Sequence, residues 1–129
     1  MNIQFDRPAE AMAAITWVVC SADSIGSEQE YSYIHNQIRS MELFKDMNIN
    51  EFSSLMGSIR TKLFCNLPND GFCLAESGVK QVIDSANMVF DTKQKEAAIQ
   101  MAIDLAKSDE LVGSEKIIIE QIRTGFNLD

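Results

Sequence analysis

Histidine, cysteine and glycine are scarce among the 129 residues, and each scarcity excludes a class of site. The single histidine, His35, rules out a zinc site built on several imidazoles. The three cysteines, Cys20, Cys65 and Cys73, are odd in number and contain no Cys-x-x-Cys pair, which favours free thiols in a reducing compartment. Six scattered glycines form neither a Gly-x-Gly-x-x-Gly nor a Walker pattern, so no phosphate-binding loop is expected.

Basic residues are also few, with 11 Lys and Arg against 19 Asp and Glu, a net charge of −8. Such a chain repels phosphate backbones and anionic lipid, so the sequence predicts no nucleic-acid partner. The negative charge suits a cation or a basic peptide as partner, or serves solubility alone. The most apolar early stretch, Ala9 to Cys20, contains Glu10 and is too short to span a bilayer. We therefore predict a cytoplasmic protein without direct membrane insertion.

What the sequence does contain is helical periodicity, since no segment alternates convincingly with period two. The sequence has 46% apolar residues, which is typical of a globular domain. Together with the helical periodicity, this predicts one all-α domain over residues 1–129, a compact bundle of six to seven helices. In the last helix, Ile117, Ile118 and Ile122 are predicted to face inward. The predicted helix starts carry residues typical of caps or first turns: Pro8, Ser27, Asn48 or Asn50, Asp91 or Thr92, and Ser114.

Two turns near the ends of the chain resemble each other, so that the first and last helical hairpins are expected to be similar. Residues 22–28 read Ala-Asp-Ser-Ile-Gly-Ser-Glu, and residues 108–115 read Ser-Asp-Glu-Leu-Val-Gly-Ser-Glu. Grouped carboxylates without thiol or imidazole suit hard cations such as calcium, magnesium or manganese. The candidate metal ligands are Asp23, Glu28, Glu30, Asp109, Glu110 and Glu115. The alternative is structural, because Gly-Ser-Glu is also typical of a capped helix start.

The first hairpin carries Ala-Asp-x-x-x-Ser-Glu-x-Glu at residues 22–30, and the second acidic turn precedes the final helix. With these features the chain resembles the TerB-like tellurite-resistance family. That family is related to the N-terminal domain of the DjlA co-chaperone. The resemblance covers essentially the whole chain. It implies a non-catalytic bacterial protein of tellurite or stress resistance that binds a divalent metal and associates with membrane-linked protein partners. A homodimer is a further expectation. Ser24 and Glu110 depart from the family, which usually has glycine after each aspartate.

Two other classes of function remain open. One is a plain helical protein–protein interaction domain, in which the acidic turns only cap helices and hold no metal. The other is an enzyme with Cys73 as nucleophile or His35 as base, although no flanking pattern supports either residue. We therefore predict that the chain is not an enzyme. Trp17, on the first helix, is expected to be buried.

Overall fold

A computed structural model gives the fold over residues 4–20, 39, 41–69, 75–107 and 113–126, without the side chains of residues 20, 105–107 and 113–116. In these ranges the chain is all-helical and has no β-strand, which confirms the predicted fold class. The ranges hold five helices rather than six to seven, and the helix predicted to begin at Ser27 lies outside them. The five helices are α1 Pro8–Cys20, α2 Ile49–Asn66, α3 Glu76–Val89, α4 Thr92–Lys107 and α5 Gly113–Gly125.

Helix α1 lies at the centre of the domain and packs against α2, α3, α4 and α5. It begins at Pro8, as predicted. Met12, Ile15, Val18 and Val19 are buried at helical spacing, and so are residues on its other sides, including Ala11, Ala14 and Thr16. The Thr16 hydroxyl donates to the Met12 carbonyl at 2.8 Å, which satisfies the one polar side chain buried in this helix. An apolar helix of this kind is stable only when it is surrounded.

Helices α2 and α4 begin with reciprocal caps. The Asn48 side chain accepts a hydrogen bond from the Glu51 amide at 2.8 Å, and Glu51 accepts one from the Asn48 amide at 3.2 Å. Asp91 and Gln94 make the same exchange at 2.7 and 2.9 Å. Each exchange satisfies two N–H groups that a helix start would leave without partners. The predicted starts at Asn48 and Asp91 are confirmed.

Two aromatic pairs join the elements around α1. Phe44, on a turn over residues 41–46, meets Phe52 of α2 edge to face, with ring centroids 5.3 Å apart. Phe90, which ends α3, meets Phe126, which follows α5, at 5.7 Å. Such pairs stabilise a core beyond the area that they bury. The second pair fixes α3 beside α5, and these two helices form the groove described below.

The predicted inner face of the last helix is wrong at one position. Ile117 is 61% exposed, whereas Ile118 is half-buried and Ile119 and Ile122 are buried. Successive residues of an α-helix are 100° apart, so three consecutive isoleucines span about 200° and cannot all face one core. Packing selects the face made by residues 119, 122 and 126, which leaves Ile117 on the outside.

Candidate binding groove

The predicted metal ligands lie almost entirely outside the described residues. Asp23, Glu28, Glu30, Asp109 and Glu110 are all outside, and of Glu115 only the backbone is described, near the start of α5. Within the ranges given above, no three His, Cys, Asp or Glu side chains are grouped so that they could hold a metal ion. The acidic-turn hypothesis therefore stays a prediction. None of the described helices is long and apolar enough to cross a membrane.

The two candidate catalytic residues, His35 and Cys73, both lie outside the described ranges. Cys65, in the last turn of α2, is a free thiol and is exposed. The absence of enzyme activity stays a prediction.

Trp17 is half-buried rather than fully buried, and it contacts α2. Its indole N–H donates to the Met56 carbonyl at 2.8 Å. The Arg60 guanidinium lies 5.7 Å from the centroid of the Trp17 ring and 5.2 Å from that of Phe64. A cation over aromatic faces is stabilised by their negative electrostatic potential. This cluster fastens α2 to α1.

A polar recess of about 720 Å³ lies between the start of α1 and α2, but most of its charged groups are engaged within the chain. Glu10 accepts a hydrogen bond from the Asp6 amide at 3.1 Å and lies 3.6 Å from the Arg7 guanidinium. Glu51 belongs to the cap of α2. Lys62 donates to the Gln4 carbonyl and lies 5.5 Å from the centroid of the Phe5 ring. These contacts join the N-terminal segment to α2 and account for the recess structurally.

A groove lies between α3 and α5, and we call it the α3–α5 groove. Its volume is about 1040 Å³, at the upper end of the range for ligand sites. One wall consists of the start of α3 and the residue before it: Ala75, Glu76, Ser77, Lys80, Ile83 and Asp84. The other wall comes from α5: Ile117, Glu120, Gln121, Thr124 and Gly125.

The surface of the α3–α5 groove is mostly apolar. Ile83, which is 3% exposed, joins it to the core, and Ile117 stands on the opposite wall. Ile117 is one of three large apolar side chains exposed in the described residues, with Ile49 and Met88, and is the only one of the three that lines this groove. A concave surface that is mostly apolar is typical of a site that binds another molecule.

Gly125 allows α5 to approach α3 closely at one end of the groove. A Cβ atom at this position would overlap Cγ2 of Ile83 and lie 3.5 Å from its Cβ. Because glycine has no side chain, the α5 backbone can rest directly on Ile83. Phe90 and Phe126 pack together near the same ends of the two helices. The close contact therefore fixes the spacing of the two walls.

The charged groups of the groove stand at its exposed edges. Three carboxylates, Glu76, Asp84 and Glu120, outnumber the single ammonium of Lys80. Arg123 lies 3.8 Å from Glu120, but the two side chains are 35% and 70% exposed, so this surface pair contributes little to stability. The edges are thus weakly acidic and remain hydrated.

The sequence holds a signal for this groove, although periodicity alone does not reveal it. Three isoleucines in succession on a short helix require at least one to face away from the core, and Gly125 near the end of the same helix allows a close approach. Which isoleucine faces outward depends on the packing of α5 against α3 and α4, and that is a tertiary property. No protein-family model, curated protein or solved structure matches this chain.

Proposed function

We propose that this chain is a non-catalytic helical interaction module that binds a protein partner through the α3–α5 groove. The observation that carries the proposal is Ile117, a large apolar side chain that is 61% exposed on the wall of a mostly apolar groove. Solvent exposure of such a group is unfavourable, and a partner that covers the 61% of Ile117 still in contact with water gains about 1–2 kcal/mol. That gain is about tenfold in affinity from one side chain.

Selection of helical peptides from a displayed library against the domain tests this proposal. The selected peptides are expected to bind with micromolar affinity and to lose about tenfold or more on Ile117→Glu, which places a charge against the apolar contact. Met88→Glu is the matched control, because Met88 is 86% exposed on α3 and does not line the groove. Circular dichroism and thermal melting establish that both variants are folded.

Peptides that bind the Ile117→Glu variant as tightly as the unchanged protein would show that the groove is not the binding surface. Failure of the library to yield any helical binder would count against the proposal as well. Equal losses for the two variants would point to general charge repulsion and not to the groove.

A second candidate function is capture of a divalent cation by the acidic turns, in the manner implied by the resemblance to TerB-like proteins. It is favoured by the recurrence of an aspartate before Gly-Ser-Glu, at Asp23 and Asp109. Under this candidate the protein is cytoplasmic, acts in tellurite or stress resistance, and changes the packing of its end hairpins when calcium, magnesium or manganese binds. Under the same candidate its partners are membrane-associated proteins, and it assembles as a homodimer.

Calorimetric titration of the metal-free protein with calcium and manganese tests this second candidate. Heat of binding is expected for the unchanged chain and is expected to fall on combining Asp23→Asn with Asp109→Asn, since each change removes a charged ligand. The absence of heat above the buffer blank would refute cation binding and leave the groove as the functional surface.

A further inference from the structure

The shape and charge of the α3–α5 groove limit what can occupy it. Each residue of an α-helix rises ~1.5 Å, so the walls from Glu76 to Asp84 and from Ile117 to Gly125 each run for about 12 Å. That length matches about two turns of an α-helix, whose apolar side chains at i, i+3 or i+4, and i+7 would meet the apolar floor. The groove therefore suits the narrow apolar face of one helix.

The carboxylates at the edges favour one sign of charge in the occupant. Glu76 and Asp84 stand on the α3 wall and Glu120 stands on the α5 wall, so acidic groups border both sides of the apolar floor. Lys80 and the Arg123 that lies 3.8 Å from Glu120 offset only part of this charge. Basic side chains that flank an apolar stripe would lie against these carboxylates, whereas acidic side chains would be repelled.

Charge also weighs against a second copy of this chain as the occupant. Each copy carries a net charge of −8, so two copies repel each other before any contact forms. An uncharged apolar ligand would cover Ile117 and Ile83 but would leave the acidic edges without a partner. A basic amphipathic helix meets both the floor and the edges.

We propose that the natural occupant of the α3–α5 groove is a cationic amphipathic helix of a partner protein, an assignment that rests on the function proposed above. Its apolar residues contact Ile83 and Ile117, and its lysines or arginines lie beside Glu76, Asp84 and Glu120. Association is steered by the negative charge of the domain and weakens as salt screens it.

Two designed peptides of about 18 residues test this assignment. They share leucines at i, i+3, i+4 and i+7, and differ in whether lysines or glutamates flank the leucines. Fluorescence anisotropy measures their affinities for the full chain at low and high salt. The lysine peptide is expected to bind about tenfold or more tightly than the glutamate peptide, and the difference is expected to shrink at high salt.

Two charge variants separate the groove edges from the general field of the protein. The groove variant carries Glu76→Gln, Asp84→Asn and Glu120→Gln. The control variant carries Glu42→Gln, Asp46→Asn and Glu96→Gln, three exposed positions outside the groove, and changes the net charge equally. The groove variant is expected to lose about tenfold in affinity for the lysine peptide, and the control about threefold or less.

The outcomes distinguish the cationic assignment from the proposed interaction module. Equal affinities of the two peptides, both abolished by Ile117→Glu, would overturn the cationic assignment and leave the proposed interaction module standing. Equal losses in the two charge variants would assign the preference to the net charge and overturn the role of the groove edges. Binding of the lysine peptide that ignores Ile117→Glu would overturn both claims. Groove-dependent self-association in sedimentation, without peptide binding, would identify a second copy as the occupant and overturn the assignment.

Discussion

Replacing Gly125 by alanine is expected to destabilise the fold, because the new methyl group would overlap Cγ2 of Ile83. Ile83 is 3% exposed and β-branched, so few alternative rotamers are open to it that would move Cγ2 away from the new methyl group. Overpacking of this kind costs about 1–3 kcal/mol. Alanine recovers at most about 0.5–1 kcal/mol of helix propensity, and less than that at the final residue of α5. The net loss should be about 1–2 kcal/mol.

Gly57→Ala is the matched control for this change. Gly57 lies in the middle of α2, and a Cβ built there meets no heavy atom within 4 Å. Alanine should therefore stabilise the protein by about 0.5–1 kcal/mol through helix propensity alone. Urea unfolding followed by circular dichroism measures both free energies. In a thermal scan, Gly125→Ala should lower the Tm by about 3–8 °C, and Gly57→Ala should raise it by about 2–4 °C.

A double-mutant cycle with Ile83→Ala tests whether the loss of stability in Gly125→Ala comes from the contact between residue 125 and Ile83. Ile83→Ala removes Cγ2 and costs about 2–5 kcal/mol by itself, because Ile83 is part of the core. In that background Gly125→Ala should cost nothing, which gives a coupling energy of about 1–2 kcal/mol. If Gly125→Ala destabilises both backgrounds equally, or stabilises the unchanged protein, then the close approach of α5 to α3 does not restrict the size of residue 125.

Two further perturbations test the frame that holds the groove. Asn48→Ala should lower the free energy of unfolding by about 1 kcal/mol, because the Glu51 amide loses its hydrogen-bond acceptor. Asn50→Ala, an exposed change in the first turn of the same helix, should alter it by no more than about 0.5 kcal/mol. Similar values for both variants in urea unfolding would contradict the role of Asn48 as a cap. Trp17→Phe should lower the free energy of unfolding by about 1–2 kcal/mol, since it removes the hydrogen bond to the Met56 carbonyl and weakens the contact with Arg60. A loss below about 0.3 kcal/mol in the same measurement would show that this cluster does not stabilise the packing of α2 against α1.

The fold class and several element starts follow from the sequence because they depend on local chemistry. Pro8, Asn48 and Asp91 each act within one helical turn, and the structure confirms all three positions. The buried face of α2 also follows from its period, since Phe52, Met56, Ile59 and Leu63 recur at three- and four-residue spacings.

The groove could not be predicted in the same way, because it depends on which faces meet after folding. Periodicity alone assigns Ile117 to the inner face of α5, and only the contacts of α5 with α3 and α4 show that residues 119 and 122 take that place. The burial of α1 on nearly every side is likewise a result of its central position. The side chains of the candidate metal residues lie outside the described part of the chain, so the cation hypothesis still depends on the sequence pattern alone.

The most direct test of the central claim is amide chemical-shift mapping of the isotope-labelled domain during titration with the lysine peptide. If the α3–α5 groove is the binding surface, the largest changes should cluster at residues 75–84 and 117–125, and the amides around Met88 and Ile49 should change little. Changes centred on α2 or on the acidic turns at residues 22–30 and 108–115, with the groove amides unmoved, would contradict the assignment.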